Sequence, residues 1–186
     1  MKKNLVLVGM MASGKTTLGK IVAKKQNLKF IDTDLNIEKK NSMTISEIFK
    51  KKGEVFFRNE EEKEALKYIK KNNYVISLGG GAFMNKNIRN AILKSSLSFW
   101  LDLNLKSITK RVKWNKKRPL LKQQNAEEII KKLYLKRKNI YKLAKYKINC
   151  NKMTKDEIAK INSCPYVMIF VDQVKEGVFK KVLWLR

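Results

Sequence analysis

Residues 9–17 read GMMASGKTT and follow directly on the apolar run LVLV at 5–8. The spacing G-x-x-x-x-G-K-[ST] belongs to a loop whose backbone N–H groups cradle phosphate, whose lysine reaches the outer phosphates and whose hydroxyl can ligate magnesium. Such a loop needs a buried strand before it and a helix after it, because the helix start supplies free N–H groups and a partial positive charge. The stretch therefore commits the chain to an α/β fold. Two lysines, an apolar run and small residues could also open a secretory signal. Gly9 cuts that run to four residues, well short of the roughly 7 to 15 a signal requires. No later stretch approaches the roughly 18 apolar residues of a membrane helix, so a soluble, cytoplasmic protein without a membrane partner is expected.

Further apolar runs at 28–31, 74–78 and 97–101, with a weaker one at 146–148, alternate with segments of helical periodicity. Alternation of this kind predicts a parallel sheet covered by helices. Thr44-Ile45-Ser46-Glu47 fits a capping box, Asn85, Asn104 and Thr154 are N-cap candidates, and 126–144 reads as one amphipathic helix through Ile129, Ile130, Leu133, Ile140 and Leu143. Between these elements, 111–124 is polar, lysine-rich and contains Arg118-Pro119, which suits a lid. At 186 residues the chain has material for one domain. Residues 164–186 change character, with a β-like apolar run at 166–171, and are expected to form an added strand or an extension.

With no histidine and two widely spaced cysteines, the chain lacks the material for most zinc sites and for any histidine-based triad. Catalysis is left to Asp, Glu, Lys, Arg or a metal held by oxygen. The net charge of +27 raises the question of an anionic partner such as nucleic acid. The lysines, however, are scattered over nearly every predicted helix face, which is the signature of a solvated surface, and nucleic-acid binding is not expected. Only Arg58, Arg89, Arg111, Arg118, Arg137 and Arg186 are arginines among 43 basic residues, so the planar fork is used sparingly.

Two more motifs follow apolar runs and so share the carboxyl edge of the sheet, where open α/β sheets bind ligands. Asp32-Thr33-Asp34 offers two carboxylates which, on an extended segment, would face one side. One would stand near a magnesium ion and the other near an acceptor hydroxyl, and a helix N-cap is the competing reading. Gly79-Gly80-Gly81 implies a sharp turn or something pressed close against the backbone.

Taken together, GMMASGKTT, FIDTDLNIE (30–38), GEVFFRNEE (53–61), ISLGGGA (76–82), KRPLL (117–121) and RKNIY (137–141) resemble the shikimate kinases over roughly residues 4 to 161. The resemblance implies a three-layer α/β/α P-loop kinase of the nucleoside-monophosphate-kinase type, with a five-stranded parallel sheet and a small lid. It implies one kinase domain at 1–163, with a shikimate-binding region near 33–61, a lid near 112–124 and an extension at 164–186. The implied reaction is phosphorylation of the 3-hydroxyl of shikimate by ATP with Mg²⁺, a step toward chorismate and the aromatic amino acids, in a monomer.

By the same resemblance, Lys15, Asp34 and Arg118 are catalytic. Ala12, Ser13, Gly14, Lys15, Thr16, Thr17, Arg111 and Arg118 bind ATP, with Arg111 beside the adenine and Arg118 closing over the phosphates. Asp34, Arg58, Gly79, Gly80, Gly81 and Arg137 bind shikimate, the two arginines on its carboxylate, and Thr16 and Asp32 serve the metal. Ala12 stands where the family commonly has glycine, which is tolerable if its φ stays negative. Asn139 stands where proline is usual, so a looser turn after Arg137 is expected. A gluconate-kinase-like enzyme of the same fold and a basic nucleic-acid-binding protein are the alternatives.

Overall fold

The computed structural model describes residues 3–114, 126–151, 167–173 and 180–185, with side chains for 3–112 and 127–151. Five strands, β1 (Leu5–Val8), β2 (Lys29–Asp32), β3 (Tyr74–Ser77), β4 (Leu97–Asp102) and β5 (Tyr146–Asn149), lie parallel in the order β2-β3-β1-β4-β5. All four residues of β1 are buried, as a central parallel strand covered on both faces must be. The connecting helices are α1 (Lys15–Gln26), α2 (Thr33–Asn41), α3 (Ile45–Ile69), α4 (Lys86–Ser95), α5 (Leu105–Trp114) and α6 (Ala126–Tyr141).

The tail, expected as an added strand or an extension, contributes two strands. β6 (Val167–Gln173) and β7 (Lys180–Leu185) form an antiparallel hairpin that joins β5 through Tyr146 opposite Gln173 and Lys147 opposite Asp172. The five parallel strands thus sit within a seven-stranded sheet. Most of the expected lid (115–124), including Arg118, and Thr154 lie outside the described residues.

Local chemistry sets the helix ends. Thr44 Oγ1 accepts from Glu47 N at 3.2 Å while Glu47 Oε2 accepts from Thr44 N at 2.8 Å, completing the expected capping box at the start of α3. Asn85 Oδ1 accepts from Asn87 N and Ile88 N to cap α4, and Asn104 Oδ1 accepts from Ser107 N at the start of α5. α6 stops at Tyr141, short of 144, and Leu143 beyond it is exposed rather than part of the apolar face. Asn139 lies inside this helix, not in a turn, so the expected looseness after Arg137 is corrected: asparagine keeps the N–H that proline would remove. The main core runs along both faces of the parallel sheet, while Ile37, Ile48 and Phe57 form a separate small core between α2 and α3.

Candidate active site

Every strand of the parallel set delivers its following loop to one edge, and the phosphate loop is at its middle. Gly9 leaves β1 at φ +141, where a Cβ would stand 2.8 Å from the Leu101 carbonyl oxygen. Gly14, at φ +96, is the N-cap of α1 and offers no side chain to the helix's first N–H groups, which stay available to a ligand. Lys15 Nζ donates to the carbonyls of Gly9 and Met10, both at 2.9 Å, arching back across the loop. Ala12 has φ +59, which corrects the negative value expected of it. The loop demands the left-handed conformation at this position, and the alanine adopts it at a steric cost of about 1–2 kcal/mol. Its carbonyl accepts from Arg111 Nη1 at 3.2 Å.

Asp32 is the N-cap of α2 and also faces the phosphate loop. One oxygen caps α2, accepting from Asp34 N at 3.1 Å and Leu35 N at 3.4 Å, and the other accepts from Thr16 Oγ1 at 2.6 Å. Asp34 does not follow it along an extended segment as expected. It lies in the first turn of α2, because Asp32 ends the strand and starts the helix. A hydroxyl and a carboxylate, both hard oxygen donors beside the phosphate loop, suit Mg²⁺, which takes few protein ligands and completes its shell with phosphate oxygens.

None of Gly79, Gly80 and Gly81 is among the positive-φ glycines, so their smallness serves close approach rather than a special turn. A Cβ on Gly79 would run into Asp34 Oδ1 and come within 2.8 Å of Glu61 Oε1. On Gly81 it would stand 2.6 Å from Arg58 Nη1. On Gly80 it would stand 3.6 Å from Arg137 Nη1 and 3.4 Å from the Met11 backbone nitrogen of the phosphate loop. Three neighbouring positions thus touch two carboxylates, two guanidinium groups and the phosphate loop. Thr33, fully buried, pins the turn by accepting from Gly79 N at 3.0 Å, and the Tyr141 hydroxyl and Arg137 Nη1 both donate to the Gly80 carbonyl. Burial pushes the Tyr141 hydroxyl up to about 12, so it stays a donor.

Arg58 is held from two sides. Nη1 donates to Glu61 Oε2 at 2.8 Å, and Nε and Nη2 donate to Glu54 Oε1 at 3.2 and 3.1 Å. Burial works against the guanidinium charge, but Glu61 and Glu54 more than offset it. For Glu61 the balance falls the other way: burial raises its carboxyl above the usual range against the pull of Arg58 and Arg137.

The family model for shikimate kinase matches residues 11–162. The shikimate kinase of Sulfurihydrogenibium sp. is 44% identical over 158 residues, covering 85% of this chain and 94% of that protein. That of Bartonella quintana is 42% identical over 159 residues, covering 86% and 76%. The solved structure of shikimate kinase from Acinetobacter baumannii in complex with shikimate superposes with a TM-score of 0.79 at 32% identity, covering 86% of this chain and 90% of that one. The chain belongs to the shikimate kinase family.

Within the shikimate kinase framework, the structure brings Asp34, Arg58, Arg137 and the three glycines together beside Lys15, Thr16 and Asp32, while Arg111 reaches the loop from α5. The family membership disfavours the gluconate-kinase-like and nucleic-acid alternatives. Glu61, Glu54, Thr33 and Tyr141 are contact residues that motif reading passed over. Glu54 and Glu61 stood four before and three after Arg58, the spacing at which helix side chains meet, and that signal could have found them. Thr33 and Tyr141 contact the turn only through tertiary packing and left no such signal. Among the described residues no helix is long and apolar enough to cross a membrane.

Proposed function

We propose that the chain transfers the γ-phosphoryl group of ATP to the 3-hydroxyl of shikimate. What carries this reading is the triple-glycine turn, against which two arginines, two carboxylates and the phosphate loop all stand. A small hydroxylated carboxylate and a triphosphate are the ligands that such a crevice accommodates. Arg58 and Arg137 take the shikimate carboxylate, for which the guanidinium fork is matched. Asp34 accepts a hydrogen bond from the acceptor hydroxyl and aligns it. That oxygen forms the new bond to the γ-phosphorus as the bond to the β–γ bridging oxygen breaks, and the hydroxyl proton leaves toward Asp34.

Phosphoryl transfer of this kind asks chiefly for positioning and charge neutralisation. Lys15, the start of α1 and Arg118 supply positive charge to the phosphates, and Arg111 serves the nucleotide. Mg²⁺, held by Thr16 and Asp32 together with phosphate oxygens, would supply electrostatic stabilisation of the triphosphate. Residues 1–163 form the kinase unit, residues 112–124 its lid, and the hairpin beyond is an extension of the sheet.

An assay that couples ADP release to a panel of hydroxylated acids tests this directly, with shikimate expected to accelerate ADP formation and the others not. Arg58→Ala removes a charge-assisted pair of about 1.5–3 kcal/mol, so the shikimate KM rises about 10- to 150-fold. Wild-type kinetics in that variant would rule out the carboxylate assignment.

A further inference from the structure

The phosphate loop contains a residue in the wrong chemical form for its backbone. Ala12, at φ +59, carries a Cβ in the left-handed region that glycine occupies freely, and so pulls the loop toward other conformations. A side chain from outside the loop reaches this residue. Arg111 Nη1 donates to the Ala12 carbonyl at 3.2 Å, and a Cβ on Gly14 would lie 4.0 Å from the same nitrogen, so the guanidinium stands against two of the loop's three positive-φ positions. The anchor for this reach is firm, because Ile108 and Val112, on either side of Arg111 in α5, are buried in the main core.

We infer that Arg111 is a positioning residue that latches the phosphate loop, holding Ala12 left-handed through its carbonyl so that the loop's N–H groups stand ready for phosphate. This rests on the reading of the loop as the ATP site and assigns Arg111 a role independent of the adenine base. The linkage is physical: if only the latched conformer binds, the apparent affinity falls by the fraction of molecules that hold it. A contact at the base and a latch on the loop therefore predict different responses to a ligand that has phosphates but no base.

Inorganic tripolyphosphate is that ligand. Its affinity is measured by calorimetric titration of the full chain as wild type, Arg111→Met, Ala12→Gly and the double variant, with ATP titrated in parallel. The latch predicts that Arg111→Met weakens tripolyphosphate by about tenfold. It also predicts that most of this loss disappears in the Ala12→Gly background, where the left-handed conformation no longer needs support. A loss confined to ATP, with tripolyphosphate binding intact, overturns the latch in favour of a base contact. An equal loss in both backgrounds overturns it in favour of plain charge attraction, and a wild-type loop that takes no tripolyphosphate overturns it as well. Shikimate-dependent ADP release by the wild type is measured separately, so a failure of the proposed reaction is told apart from a failure of the latch.

Discussion

Glu54 and Glu61 occupy Arg58 in unlike ways, and the difference decides how a substrate can enter. The Glu54 side chain is 65% exposed, so its pair with Arg58 is worth about 0–1 kcal/mol and yields to an incoming carboxylate. Glu61, only 3% exposed, is not displaced and instead fixes the guanidinium's direction. Glu61→Gln keeps the shape but loses the charge, and the shikimate KM is expected to rise about tenfold while kcat holds, the loss of one charge-assisted bond. The same residue carries a pH signature. Burial places its folded carboxyl above the ordinary 4.5, so it takes up a proton in the window just above that value as pH falls. The wild-type KM should climb on acidification through this window, and the variant's should not. The stability sign is opposite to that of a depressed carboxyl. The native state binds the proton more tightly than the unfolded chain, so this group's contribution is largest below 4.5 and is lost as pH rises through the window. Unfolding free energies against pH for wild type and Glu61→Gln check it, and parallel curves would exclude the assignment.

At the scale of elements, the turn between β3 and α4 shows why glycine identity matters without unusual backbone angles. A methyl on Gly81 meets the end of the Arg58 side chain at 2.6 Å, a group that can swing aside, whereas on Gly80 the nearest atom is at 3.4 Å. Gly81→Ala should therefore push the guanidinium off its position and raise the shikimate KM several-fold, on the order of a 1 kcal/mol loss, with little change in melting temperature. Gly80→Ala should stay nearer wild type. Steady-state kinetics of the two variants separate this from a generic loss of turn flexibility, which would affect both alike. β2 and α2 make a related point. Asp32 serves the phosphate loop because it also ends a strand and caps a helix, and the cap hydrogen bonds point its other oxygen toward Thr16.

For the whole molecule, the excess of positive charge has a thermodynamic consequence. A net charge of +27 on 186 residues makes the folded state repel itself. Added salt screens that repulsion, so melting temperature is expected to rise as sodium chloride goes from about 20 mM to about 300 mM, where the Debye length falls below about 10 Å. A melting temperature that stays level or falls over that range would mean that local ion pairs such as Lys40–Glu60 and Lys147–Asp102 outweigh the long-range field. Much of the architecture was legible from one dimension. Short apolar runs, glycine-bounded loops and caps act locally, so the order of strands and helices and the placement of the phosphate loop, Asp32 and the triple glycine at strand ends could be read from neighbours along the chain. What only the tertiary structure decided depends on residues far apart in sequence. Arg111 comes to the Ala12 carbonyl across 99 positions and Tyr141 to the Gly80 carbonyl across 61. The left-handed Ala12, the burial that lifts Glu61 and the hairpin that extends the sheet belong to the same class. Conformation at a strained residue and ionisation of a buried one are set by what packs against them, and packing between distant segments leaves no periodic trace in the order of amino acids.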